Sequence, residues 1–153
     1  MHVYLVHHAE AVGPDVDAMR PLSAAGRSQA TWLSAEAARL GVKPAFIWHS
    51  GKLRARQTAE AFLVACNPFA TFRMMRGLSP GDPDGIIADA IEGEDLDVML
   101  VGHQPHLPAL LEMLTGTALG VPAHGLVALE RTDERRYVET RRIVQPAGRP
   151  QGG

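Results

Sequence analysis

The chain has 153 residues, 46% apolar and 21% charged, with a formal net charge of -2. That is enough for one domain with a buried core, and it offers no charge excess to attract nucleic acid or an anionic membrane surface. The single cysteine, Cys66, excludes an internal disulfide framework and a cysteine-built zinc site, and reads as a small buried hydrophobe. No apolar stretch approaches the roughly 20 residues needed to span a bilayer, and no basic region followed by an apolar core opens the chain. A cytoplasmic protein is expected.

Residues 2–6 (HVYLV) have the β-branched and aromatic content of a buried strand, which ends in His7 and His8. The stretch 23–40 reads as a helix, with Ala30, Leu33, Ala37 and Leu40 at helical spacing and Gly41 as its stop. After Pro44, AFIWHS is a second strand ending in His49 and Ser50, and Leu53–Cys66 a second helix closed by Asn67-Pro68. Residues 70–75 (ATFRMM) make a third strand, 79–85 (SPGDPDG) a loop, and 86–91 a short helix. DVMLVGH (97–103) is a strand with four apolar residues in a row, then Gly102 and His103; a helix follows over 107–115, starting near Pro108. Two antiparallel strands, around 124–130 and 136–143, complete a domain spanning 1–144. The Pro- and Gly-rich 145–153 reads as a flexible tail.

Strands alternating with helices predict an α/β fold, a three-layer αβα sandwich on a mainly parallel sheet. In such sheets ligands bind beyond the carboxyl ends of the strands. Three predicted strands end in polar groups: His7-His8, His49-Ser50 and Gly102-His103. Arg54 and Arg56 fall in the first turn of the second helix, where guanidinium groups and a helix N-terminus together suit a phosphate. Two residues apart, they cannot both face one point, so one is expected inward and the other on the surface. Arg20, in the loop before the first helix, is placed to return to the same region. A neutral histidine can attack phosphorus directly and form a phosphoenzyme. That needs one nucleophilic imidazole, cationic donors for the phosphoryl oxygens and a further donor opposite, which His8, Arg54 and His103 would supply if they converge. His49, His2, His106 and His124 read as structural or solvated, with His106 a possible liner of the pocket entrance. Trp32 and Trp48 read as core or half-buried residues.

LVHHAEA, RPLSAAGRSQA, HSGKLRARQTAEAF and MLVGHQPHLPALL, in this order over residues 1–143, resemble the histidine phosphatase superfamily of phosphoglycerate mutase-like fold. Within it the chain most resembles the small SixA-type phosphohistidine phosphatases. The resemblance implies that His8 is the phosphorylated nucleophile, Arg54 the phosphate-clamping arginine and His103 the second histidine, donating to the phosphoryl group in the transition state. It further implies a phosphate or substrate contact for Arg20 and a loop-orienting role for Glu10. No cofactor and no metal are implied.

The chain departs from the family pattern at its first motif, which normally reads Arg-His-Gly. His7 stands where the family has arginine, and Ala9 often where it has glycine. Histidine lacks arginine's permanent charge and bidentate fork. The loss of one charge-assisted contact to a transferring phosphoryl group is worth about 2–4 kcal/mol, or roughly 10²–10³ in rate. Slow turnover, turnover favoured by acid, or phosphate binding without turnover are the expected consequences, with His7 itself as a weaker phosphate contact. Ester-cleaving relatives carry a glutamate acid after the third strand. Here no glutamate lies between Glu60 and Glu92, and Asp82 and Asp84 are the nearest carboxylates. A phosphoramidate has a weaker bond and a more basic leaving nitrogen, so phosphohistidine on a protein is the expected substrate. The alternatives are a broad phosphomonoesterase acting on small phosphorylated compounds, a phosphate-binding module, and a zinc hydrolase built on strand-end histidines, which the arginines oppose.

Overall fold

In the computed structural model, which describes residues 1–147, the strands buried on both faces are the ones with unbroken apolar runs. β1 (His2–His7) and β4 (Val98–Gly102) lie side by side and parallel, with Val3 opposite Val98 and His7 opposite Gly102. β2 (Phe46–His49) flanks β4, and β3 (Thr71–Met74) forms the parallel edge beyond it. On the far side of β1, β5 (Leu126–Arg131) and β6 (Tyr137–Ile143) add an antiparallel pair. The six strands run β3-β2-β4-β1-β5-β6, a mainly parallel sheet as expected.

Alternation along the strands sorts the core into two layers. Val3, Leu5, Val98 and Leu100 face α3 (Asp84–Glu92) and α4 (His106–Thr115), packing on Ile87, Ile91, Leu107 and Leu110. Tyr4, Val6, Met99 and Val101 face α1 (Ala24–Arg39) and α2 (Leu53–Cys66), against Leu33, Ala37, Ala59 and Phe62. The helix bounds expected from sequence shift by one or two residues at most. α3 begins at Asp84 rather than 86, because Pro83 sets an extended N-cap and an acidic first turn suits a helix N-terminus. Cys66 is half-buried, not fully enclosed; burial pushes its thiol up to about 11, and it donates to the Ser34 carbonyl at 3.6 Å. Of the expected tail at 145–153, residues 148–153 lie outside the described residues, whereas Gln145 Nε2 bonds the carbonyls of Gln29 (3.1 Å) and His124 (3.0 Å). No helix among the described residues is long and apolar enough to cross a membrane.

Because β1, β2 and β4 are parallel, their carboxyl ends share one edge, and the three polar strand ends come together there. The loop leaving β1 is anchored to α1 at close quarters. Ser23 caps α1 by accepting from Gly26 N–H (3.0 Å), and the Glu10 carbonyl accepts from Ser23 N–H (3.0 Å). A Cβ on Gly26 would lie 1.9 Å from the Glu10 carbonyl oxygen, a backbone atom that cannot step aside without moving the loop that carries His8. Gly26→Ala is therefore expected to destabilise the fold by about 3 kcal/mol. Urea unfolding measures it, and an unchanged midpoint would contradict the packing described.

Candidate active site

At the end of β1 two adjacent histidines point their protons in different ways. His8 Nδ1 lies 2.7 Å from the carbonyl of Ala9, which can only accept. The proton therefore sits on Nδ1 and leaves the Nε2 lone pair free. Burial pushes the His8 pKa down to about 4, with Arg54, His124 and Arg20 adding to the fall against the Ala9 hydrogen bond. His7 is turned the other way. Its Nδ1 accepts the backbone N–H of His124 at 2.8 Å, so its ring proton is on Nε2. Burial first, and then His8, His124 and Arg54, hold its pKa near 3. Acid does not readily convert His7 into a cation, which speaks against a charged His7 as a source of acid-favoured turnover, because protonating Nδ1 would set it against an N–H that already points at it.

His103 closes the opposite side, its ring 5.0 Å from that of His8. Its Nε2 is 2.6 Å from Ser50 Oγ, and its Nδ1 is buried with no partner. Ser50 Oγ also accepts Lys52 N–H at 3.3 Å, so the hydroxyl ties His103 to the first turn of α2. Burial, followed by the neighbouring His8 and Arg54, takes the His103 pKa down to about 3.

The positive charge comes from arginine. Arg54, half-buried in the first turn of α2, has no carboxylate partner among the described residues, and its Nε is buried without a hydrogen bond. Burial and then Arg20 lower its pKa, a sign that the two guanidinium groups are near enough to repel. Arg20 is held at φ +49°, its Nε donating to the Val12 carbonyl at 3.0 Å. Arg56 instead pairs with Glu60 at 2.9 Å on the exposed face of α2. A cleft beside Arg54 is lined by Ser50, Lys52, Ser79 and the exposed Met19 and Met74.

Other sequence candidates fall outside this cluster. His49 Nδ1 accepts Gly51 N–H at 3.0 Å, and its ring packs on Phe72. His2 pairs with Asp97 at the opposite end of β1. His106 is buried 3.3 Å from Asp84 Oδ1. Asp82 Oδ2 accepts the N–H groups of Gly77 (3.1 Å) and Ser79 (2.9 Å), so it pins its own turn. Glu10 is exposed and ties the loop to α1 through its backbone.

Two residues enter to which sequence reasoning gave no part in the site, Thr58 and His124, the latter read there as structural or solvated. Thr58 Oγ1 accepts Ala9 N–H at 3.0 Å and donates to the Arg54 carbonyl at 2.8 Å. His124 stacks on His7 with ring centroids 4.8 Å apart, and its Nδ1 lies 2.6 Å from the His8 carbonyl. Thr58 lay inside a recognised motif; nothing in the sequence singles out His124. Ring nitrogens of His7, His8 and His124 all lie within 4.8 Å of one another. A tetrahedral zinc would need nitrogens about 3.4 Å apart, each with a free lone pair. His7 has none to offer at Nε2, and two unpaired guanidinium groups stand nearby. The donor set suits an anion.

The profile of the histidine phosphatase superfamily (branch 1) matches residues 3–93, a span holding His7, His8, Arg20 and Arg54. The chain belongs to that superfamily. An uncharacterized protein of Picosynechococcus sp. is 30% identical over 151 residues, covering 92% of this chain and 91% of its own. Among solved structures, the protein histidine phosphatase SixA complexed with tungstate matches with a TM-score of 0.83 at 19% identity, over 94% of this chain and 97% of its own. A candidate phosphohistidine phosphatase SixA from Agrobacterium tumefaciens matches with a TM-score of 0.80 at 27% identity, over the same shares of 94% and 97%. An Entamoeba histolytica phosphoserine phosphatase mutant, bound to phosphoserine, matches more distantly (TM-score 0.69, 12% identity, 92% and 95% covered). His103 and His124 lie beyond the profile match and join this histidine phosphatase site only through the fold.

The depressed imidazoles make stability pH-dependent. Each ring is neutral in the folded chain down to about 3 or 4, but in the unfolded chain takes a proton below its usual 6.5. Below 6.5 the unfolded state therefore binds more protons, so stability present above that pH is lost as the pH falls toward 4. Thermal melts followed by circular dichroism should show Tm declining steadily across that window, with a shallower decline in His8→Gln and His103→Gln. Equal slopes in wild type and variants would refute the assignment.

Proposed function

We propose that the protein hydrolyses phosphohistidine on a protein through a covalent phosphohistidine on His8. The observation that carries this is the His8 ring: neutral at physiological pH, with Nδ1–H committed to Ala9 and Nε2 open, beside two arginines without carboxylate partners. In the first step the Nε2 lone pair attacks phosphorus as the bond to the substrate nitrogen breaks. That nitrogen keeps the bonding pair, and a proton on the substrate ring lets it leave as neutral imidazole. In the second step water attacks phosphorus, the bond to Nε2 breaks, and phosphate departs with His8 restored.

Arg54 and Arg20 would hold the phosphoryl oxygens, His7 would add one neutral Nε2–H donor, and His103, across from His8, would be a further donor in the transition state. That neither of the carboxylates nearest in sequence is placed as an acid supports a phosphoramidate substrate, since Asp82 is occupied by two backbone N–H groups and Asp84 lies beside His106. Met19 and Met74, exposed at the cleft rim, suit a protein rather than a small phosphate ester. The names of the SixA neighbours, and the tungstate in one of them, accord with this. The phosphoserine phosphatase shows that the fold alone does not decide between the two chemistries.

Wild type, His7→Arg and His8→Ala should be compared on a phosphohistidine protein and on aryl and alkyl phosphate esters, with and without a chelator. The reading expects hydrolysis of phosphohistidine that survives chelation, an acid-labile phosphoenzyme, and loss of about 10³-fold or more in His8→Ala. His7→Arg should be faster. After subtraction of uncatalysed hydrolysis, kcat/KM should rise as acid puts the leaving proton on the substrate ring, and fall again only near the His8 value of about 4. If wild type and His8→Ala are equally inert while both bind phosphate, the chain is a phosphate-binding module. A preference for esters would make it a broad phosphomonoesterase.

A further inference from the structure

His124 lies in the turn before β5 at φ +53°, a region that non-glycine residues seldom occupy. Its contacts show what is gained by holding a histidine there. Its N–H donates to His7 Nδ1 (2.8 Å), its Nδ1 donates to the His8 carbonyl (2.6 Å), and its own carbonyl accepts from Gln145 Nε2 (3.0 Å). The carbonyl it holds belongs to the His8–Ala9 peptide, and the N–H of that same peptide donates to Thr58 Oγ1 at 3.0 Å. The Thr58 hydroxyl is oriented in turn, because its hydrogen goes to the Arg54 carbonyl at 2.8 Å. One peptide plane is thus gripped on both edges, by the turn before β5 on one side and by α2 on the other.

The next carbonyl along, that of Ala9, accepts His8 Nδ1–H at 2.7 Å. Its direction depends on the plane before it. Which nitrogen of an imidazole carries the proton is set by the hydrogen bond the other one makes. If Ala9 swings away, the proton is free to move to Nε2, the atom that must attack. We propose that His124 is a positioning residue: with Thr58 it clamps the His8–Ala9 peptide, keeping His8 in the tautomer whose Nε2 is bare, while its amide keeps His7 as an Nε2–H donor. This rests on the reading of His8 as the nucleophile.

The test compares His124→Gly with His124→Asn in the full chain. Glycine accepts φ +53° without strain and keeps the amide to His7, so it removes the grip on the His8 carbonyl together with the ring stacked on His7, and the His7 tautomer reports whether that stacking matters. Asparagine tolerates the left-handed region and offers a side-chain N–H close to where the imidazole had one. The readouts are melting temperature, kcat and KM on a phosphohistidine protein, and the tautomers of His7 and His8 from long-range ¹H–¹⁵N spectra. The clamp predicts that His124→Gly melts no lower than wild type and keeps the His7 tautomer. In that variant His8 shows both tautomers, and kcat falls about tenfold with KM changed much less. His124→Asn should restore the single His8 tautomer and most of kcat. A wild-type His8 spectrum in His124→Gly, or an asparagine variant no better than glycine, would overturn the proposal. The spectra need no turnover, so they decide the clamp even if wild type and His8→Ala prove equally inert, the result that defeats the nucleophile reading instead.

Discussion

The hydrogen bond from His8 Nδ1 to the Ala9 carbonyl is the contact that the rest of the site is arranged around. A buried imidazole has two nitrogens and, when neutral, one proton; without a fixed acceptor its chemistry is undefined. The fold supplies that acceptor from the residue next in the chain, and then spends several distant residues on keeping it in place. Thr58 from α2, His124 from the turn before β5 and the Glu10–Ser23–Gly26 contact with α1 all act on the four-residue stretch from His7 to Glu10. Parallel pairing of β1, β2 and β4 makes this possible, because it delivers three strand ends and the α2 N-terminus to one edge of the sheet.

A second constraint is the separation of charge from nucleophilicity. The three imidazoles at the centre are neutral, while the positive charge belongs to Arg54 and Arg20. The two guanidinium groups repel each other, and burial of Arg54 adds to the cost. An anion between them offsets that cost, so the site favours an anionic over a neutral ligand. In such a field an imidazolium at position 7 would gain little. The replacement of arginine by His7 is thus better read as the exchange of a charged fork for one neutral donor than as a titratable substitute.

Much of this was legible in the sequence, and for identifiable reasons. Continuous apolar runs mark β1 and β4 because both of their faces are covered, whereas β3, an exposed edge strand, carries a weaker pattern. That His8, Arg54 and His103 share one edge is legible because strand ends and a helix's first turn are positions that sequence periodicity locates. His124 was not, since it sits in an irregular turn, and its importance comes from two hydrogen bonds spanning more than a hundred residues. The neutral state of His7 is not legible for the same reason. A backbone N–H from the other end of the chain decides it, and side-chain identity at position 7 carries no record of that partner. Ser50 was located as a strand end, but its bond to His103 depends on the spacing of β2 and β4, which no local pattern specifies.

The same geometry bears on leaving-group chemistry. An alkoxide must be protonated as it departs, so an ester-cleaving site needs an acid held within hydrogen-bond reach of the scissile oxygen. Of the carboxylates nearest in sequence, Asp82 is held by two backbone amides, and Asp84 opens α3 with its Oδ1 3.3 Å from Nε2 of the buried His106. Releasing Asp82 would unpick the turn that leads into α3, so recruiting it as an acid would cost structure as well as two hydrogen bonds. The neutral histidines do not fill the gap either: at physiological pH each has a single proton, and the one on His8 is committed to Ala9. On the proposed reading of His8 as the nucleophile, strong anion attraction without an acid placed from Asp82 or Asp84 would favour a leaving group that brings its own proton, which a protonated imidazole does and an alcohol does not.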